Sequence, residues 1–110
     1  MLDQEAVPVE ALQQALELAY RYLSPRERTV FEARRHLGRK DVGAAIAEAV
    51  ITELTDQGTL DDSRFARVFT EDKRELEQWG ADRIRRALLE RGIERELVEA
   101  AVADEPDANE

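Results

Sequence analysis

At 110 residues, with 43% hydrophobic and 37% charged residues, the chain is one small domain whose helices must pack side by side to bury a modest core. The absence of cysteine excludes disulfides, zinc-thiolate sites and thiol catalysis, and a formal charge of −9 argues against indiscriminate binding to nucleic acid. No run approaches the roughly 20 apolar residues of a membrane span, and the acidic start Met1-Leu2-Asp3-Gln4-Glu5 is not a signal peptide, so a cytoplasmic protein is expected.

The first predicted helix begins near Val9 after Pro8 and runs to about Leu23, with Leu12, Ala15, Leu16, Ala19 and Leu23 forming an apolar stripe. Tyr20 and Tyr22 flank that stripe, as exposed partner-contact aromatics or, on the favoured reading, as half-buried packing residues with wet hydroxyls. Ser24-Pro25-Arg26-Glu27 resembles a capping box, but Thr29-Val30-Phe31-Glu32 offers a second one and is the principal cap, leaving Ser24 to Arg28 as a tight helical turn. A second helix then runs from Val30 to Leu37 or Gly38, with Phe31 placed against the first helix. His36 is the only histidine, so a multidentate metal site or a base with its orienter has nothing to build on there, and it reads as a boundary residue.

The third helix is predicted over about Val42 to Gln57, with Val42, Ala45, Ile46, Ala49, Val50 and Leu54 inward and Gly43 weakening its first turn. Gly58 is the natural left-handed stop, and Asp61 or Asp62 caps a fourth helix over about Asp62 to Trp79, with Phe65, Ala66, Phe69, Leu76 and Trp79 inward. After a break at Gly80, a fifth helix from Asp82 to Leu89 turns Ile84, Leu88 and Leu89 to the core, Gly92 stops it, and a sixth runs from Arg95 to Ala103 through Leu97, Val98, Ala101 and Val102. Asp104 to Glu110 reads as a flexible acidic tail.

The junction around Gly58 to Asp62 divides the chain into similar halves. A shift of 51 lays Thr29–Leu37 on Gly80–Leu88, so that Arg34 meets Arg85, Arg35 meets Arg86 and Leu37 meets Leu88, and it carries Val42 onto Ile93, Ile46 onto Leu97 and Glu48 onto Glu99. One constant offset through a helix, a turn and a second helix marks an internal repeat. The architecture is therefore all-α: tandem three-helix units over 9–60 and 61–103, elongated or loosely bundled, followed by the tail 104–110.

Charge follows the repeat. Residues 21–40 carry seven bases against two acids, while 41–62 carry six acids and no base. Opposite charges at helical spacing are ordinarily solvated faces; the sharper reading is a macromolecular contact surface. No enzyme constellation appears: Asp61-Asp62 is better explained by helix capping than by magnesium, and no phosphate-cradling loop, nucleophile elbow or H-E-x-x-H pattern is present, so neither metal nor cofactor is implied.

Three stretches together carry a family likeness: Ala19-Tyr20-Arg21-Tyr22-Leu23-Ser24 leading to Glu32-Ala33-Arg34-Arg35-His36-Leu37; Leu54 through Gly58-Thr59-Leu60-Asp61-Asp62-Ser63-Arg64-Phe65-Ala66; and Gly80 through Arg83-Ile84-Arg85-Arg86-Ala87-Leu88-Leu89-Glu90-Arg91-Gly92-Ile93. On these the chain resembles the RecX family of bacterial regulators of the RecA recombinase. The resemblance implies a cytoplasmic, non-enzymatic monomer of tandem three-helix repeats that lies in the groove of the RecA–DNA filament and depresses its ATP hydrolysis and strand exchange. Carried to this sequence, the partner-binding candidates are Arg34, Arg35, Arg39 and Lys40 in the first unit and Arg83, Arg85, Arg86 and Arg91 in the second. Nucleic acid would be met together with the recombinase, the second helices facing the anionic groove and the acidic third helices pointing to solvent or to basic recombinase surface. Members usually have three repeats, are commonly basic, and place glycine where this chain has Asp41, at the position matching Gly92. Two other readings stay open: a helix-turn-helix DNA-binding regulator, for which Val30 to Leu37 is short and poor in Asn and Gln, and an acidic adaptor for a different protein.

Overall fold

The computed structural model describes residues 8–103; the acidic tail expected over 104–110 lies outside them. The described residues form six helices: α1 (Val9–Leu23), α2 (Val30–Arg39), α3 (Ala44–Asp56), α4 (Asp62–Leu76), α5 (Ala81–Glu90) and α6 (Arg95–Ala103). They fall into two compact units that divide between Leu60 and Asp61. In the first, α1, α2 and α3 all pack on one another; in the second, α4 and α5 both pack chiefly on α6.

The helix starts follow from side-chain chemistry. The Thr29 hydroxyl accepts from the Glu32 N–H at 3.1 Å, and the Glu32 carboxylate accepts from the Thr29 N–H at 3.0 Å, a reciprocal box that opens α2. Ser24 to Arg28 is a bent connection rather than the helical turn expected, because the Ser24 N–H still bonds the Tyr20 carbonyl and closes α1. The Asp61 carboxylate accepts from the Arg64 N–H at 2.9 Å and opens α4. Gly43 is the N-cap of α3 rather than a residue of its first turn, so the helix begins two residues later than expected and does not bear the cost of an internal glycine.

The ends follow a different rule. Asp41, Gly58, Gln78 and Gly92 all take positive φ, at 63°, 80°, 59° and 85°. Each is followed by a backbone bond reaching five or six residues back: Val42 to Leu37, Leu60 to Leu54, Trp79 to Lys73 and Ile93 to Leu88. The apolar residue that makes this bond packs on the core of its own unit, the hydrophobic contact that accompanies such caps. Asp41 belongs to the few non-glycine residue types that enter the left-handed region at lower cost than most. A Cβ at Gly58 would meet nothing within 4 Å, so Gly58→Ala isolates the backbone cost; chemical denaturation should show a loss of about 1 kcal/mol.

The two cores superpose through the sequence shift of 51. Ala15, Ala19, Ala33, Leu37, Ala47, Val50 and Ile51 are buried in the first unit, and Ala66, Thr70, Ile84, Leu88, Val98, Ala101 and Val102 are buried in the second. Even α1 and α4, whose ends do not match, keep this burial register. Leu54 and Leu60 complete the first core and Phe65 and Ile93 the second.

Several inward assignments need correcting. Ala45 is exposed, and Ala47 and Ile51 are buried instead; the first half of α3 carries alanine at positions 44, 45, 47 and 49, so the packing of α1 and α2 selects which of them is inward. Phe31, expected to be buried against α1, is 40% exposed and lies under the Arg35 guanidinium, 5.8 Å away. Leu76 is 75% exposed because α4 ends there, and the left-handed Gln78 swings Trp79 back onto the core, edge-on to Phe69 with ring centroids 6.1 Å apart.

Candidate partner-binding surface

The packing of second helix on third decides what the first arginine of each pair does. Arg34 of α2 donates Nε to Glu48 Oε2 at 2.6 Å and Nη2 to Glu48 Oε1 at 3.1 Å, a two-pronged tie to α3. Arg85 of α5 donates Nε to Glu99 Oε2 of α6 at 2.8 Å and Nη1 to Asp82 Oδ1 at 2.7 Å. Both ties sit at repeat-equivalent positions. Glu48 and Glu99, expected on the outward acidic face of the third helices, turn toward these arginines and offset their charge. The Arg34 hydrogen bond holds the Glu48 carboxyl below its ordinary value of 4.5 against an opposing push from burial, and the bond to Glu99 raises the Arg85 pKa.

A depressed carboxylate pKa contributes stability above the unfolded-state value and loses it as pH falls through the folded-state value. For Glu48 that window lies below about pH 4.5. Arg34→Gln should move the Glu48 pKa back up toward 4.5, read from the carboxyl-carbon chemical shift, with little change in stability at neutral pH because the pair is half-exposed.

The remaining candidates occupy different surroundings. Arg35 lies over the exposed ring of Phe31, and Arg39 and Lys40 are exposed at the end of α2. Arg83 stacks on Trp79 at 3.9 Å, and the two residues line a concavity of about 350 Å³ with Arg86, Ala87 and Glu90. Arg91 sits 4.7 Å over Phe65, covering the core of its unit. The structure thus brings Arg83 and Arg86 together, ties Arg34 and Arg85 to carboxylates, and leaves Arg35, Arg39 and Lys40 along α2 and its cap.

Arg21 and Arg28 were not among the expected site residues, and Tyr22, expected as a half-buried packing residue, is half-buried. The Tyr22 ring stacks on His36 with centroids 3.9 Å apart and planes 7° from parallel, and the Arg28 guanidinium lies over the same ring at 4.1 Å. Leu18, Arg21, Tyr22, His36 and Lys40 line a groove of about 240 Å³ between α1 and α2. A signal was present: the shift of 51 carries Tyr22 to Lys73 and Arg28 to Trp79, and Lys73 Nζ lies 4.7 Å over the Trp79 ring. The two units make the same cation–aromatic contact with the partners exchanged.

Among the described residues no group of His, Asp and Glu could hold a metal ion, and Asp61 is occupied as a helix cap. Nor is any described helix long and apolar enough to cross a membrane. What these surfaces offer is cations, aromatic rings and shallow concavities. The fold defines an all-α protein made of two three-helix units.

Comparison with known proteins specifies the class. Residues 15–54 match the profile of the first three-helix domain of RecX, and residues 61–102 that of the second. The chain belongs to the RecX family. It is 37% identical over 103 residues to the regulatory protein RecX of Lactobacillus delbrueckii subsp. bulgaricus, covering 94% of this chain and 38% of that one. The regulatory protein RecX of Halalkalibacterium halodurans is 37% identical over 93 residues, 84% of this chain and 35% of the relative. The chain thus spans under two fifths of the length of these two curated relatives. The crystal structure of RecX from Lactobacillus salivarius superposes with a TM-score of 0.86 at 22% identity, over 92% of this chain and 66% of the other, a likeness of fold.

Proposed function

We propose that this chain, as a monomer, restrains a RecA-type recombinase filament assembled on DNA, binding in its helical groove and depressing ATP hydrolysis and strand exchange. The observation that carries the reading is the match of both units to consecutive RecX domains, each unit presenting exposed arginine on its second helix, Arg35 and Arg39 on α2 and Arg83 and Arg86 on α5. With a chain-wide charge of −9, attachment to bare DNA is opposed over long range, so the recombinase supplies much of the contact while these cations meet phosphate or acidic protein surface at close range. Such a partner places the protein in the cytoplasm. Regulation here is by occupancy and needs no catalytic group. The ten-residue helices α2 and α5 carry neither Asn nor Gln, which leaves the helix-turn-helix alternative without its usual base-reading amides.

The test is to titrate the protein into recombinase already assembled on single-stranded DNA with ATP, following hydrolysis and DNA release. A dose-dependent fall in hydrolysis is expected. Unchanged hydrolysis at saturating protein, with no co-sedimentation on the filament, would remove the reading.

A further inference from the structure

The outer side of α4 carries a pattern that the arginine surfaces leave unused. Val68, Asp72 and Leu76 recur every four residues, with Glu71 and Glu75 beside them, so the five share one face of the helix. All five are exposed, Val68 at 42% and Leu76 at 75%, and among the described residues the three carboxylates have no cation tied to them. Apolar groups standing open and rimmed by charge are the make-up of a contact face. The outer side of α2 is the converse. Phe31, Arg35 and Arg39 recur at the same spacing and are exposed, and Gly38 falls on the same face with nothing within 4 Å of where its Cβ would stand. Neither face is a property of the repeat: the shift of 51 sets Glu17 and Arg21 at the positions of Val68 and Asp72, and Asp82, Arg86 and Glu90 at those of Phe31, Arg35 and Arg39.

We propose that free copies of this chain associate head to tail, the acidic α4 face of one seated on the basic α2 face of the next. Equal spacing lets the two rows lie side by side, and in either direction the middle residues are Arg35 and Asp72, while Phe31 meets Val68 or Leu76 at one end. Opposite charge selects this pairing over α2 on α2 or α4 on α4, which would set like charges face to face. Because two different faces meet, a pair leaves one of each kind free and the contact propagates. One helix stripe on another falls short of the roughly 1,200 Å² at which stable interfaces begin, so the contact is weak and readily exchanged. The chain-wide charge of −9 does not forbid it, since physiological salt screens repulsion beyond about 8 Å while the paired side chains meet closer than that. The proposal rests on the filament reading only for its consequence: Arg35 and Arg39 are the cations offered there to the filament, so association withholds them until the filament displaces the neighbouring copy.

The experiment is sedimentation of the whole chain at about 0.15 M salt over a concentration series reaching about 1 mM. The weight-average mass should rise continuously with concentration, toward that of two chains and beyond. Arg35→Glu alone sets an acid against Asp72, and Asp72→Arg alone sets a base against Arg35, so each should weaken association about tenfold or more with the circular dichroism unchanged. An equimolar mixture of the two variants should regain it, because one contact in the mixture is the native pair and the other is the same pair reversed. A mass that stays that of one chain throughout, whether the faces are free or paired within the chain, overturns the proposal. So does association that both variants retain, which would place the contact elsewhere, or that their mixture fails to regain. Neither recombinase nor DNA enters this experiment, so filament inhibition can survive its failure and can fail where it succeeds.

Discussion

Leu88→Ala should cost about 2–5 kcal/mol of stability, because Leu88 of α5 is completely buried and its truncation leaves a cavity among helices already in contact. It shares the second core with Ile84, Val98 and Val102 and accepts through its carbonyl the Ile93 N–H that closes the helix. The sole tryptophan, Trp79, packs on that same core, so its fluorescence follows the second unit. Denaturant unfolding monitored at Trp79 is therefore the measurement. A loss under about 1 kcal/mol would show the site to be peripheral, against the range for buried leucines. Leu37→Ala, at the equivalent position of the first core and equally buried, should cost a similar amount by far-ultraviolet circular dichroism.

Reversing Arg35, Arg39, Lys40 and Arg86 to Glu should raise the protein concentration needed for half-inhibition of filament ATP hydrolysis by about tenfold or more, since each lost phosphate contact removes a slope of about 0.7–0.9 in log affinity against log salt. These positions are chosen because, among the described residues, Arg39, Lys40 and Arg86 are exposed without a carboxylate tie, and Arg35 overlies the exposed Phe31. The residual inhibition should fall less steeply with salt than that of the native chain. Arg34 and Arg85 are left in place: a glutamate at either would face Glu48 or Glu99 and disturb the packing of second helix on third. Their neutral variants, Arg34→Gln with Arg85→Gln, should retain most of the inhibition, which would mark both as internal ties. Full inhibition by the reversed variant would place the working surface away from α2 and α5.

Much of this architecture was legible before any coordinates. Thr29 with Glu32 and Asp61 ahead of Arg64 announce helix starts because the groups that satisfy the first free N–H donors lie within a few residues in sequence. Gly58 and Gly92 announce helix ends because few other residues enter the left-handed region cheaply. Asp41 takes that conformation without glycine, and only the matching of Asp41 with Gly92 across the repeat hints at it. The shift of 51 also fixed in advance which positions of the two units correspond, and seven buried positions of the first core, from Ala15 to Ile51, fall on buried positions of the second.

The misplaced residues share a cause. Periodicity says which side chains lie on one side of a helix, but it is weakest where small apolar residues crowd one stretch, as in the alanine-rich first half of α3, and there Ala47 rather than Ala45 is inward because α1 and α2 close on that side. The arginines show the same limit in electrostatic form. Arg34 and Arg35 are adjacent in sequence and alike in chemistry, yet Arg34 grips Glu48 while Arg35 lies over Phe31. Local sequence determined the helices, their caps and the repeat, since those depend on neighbours along the chain. Tertiary packing decided that Arg34 and Arg85 are tied to Glu48 and Glu99 while Arg35 is not, because a charge is offset by what stands a few ångströms away across a helix interface, however far apart the two residues are in sequence.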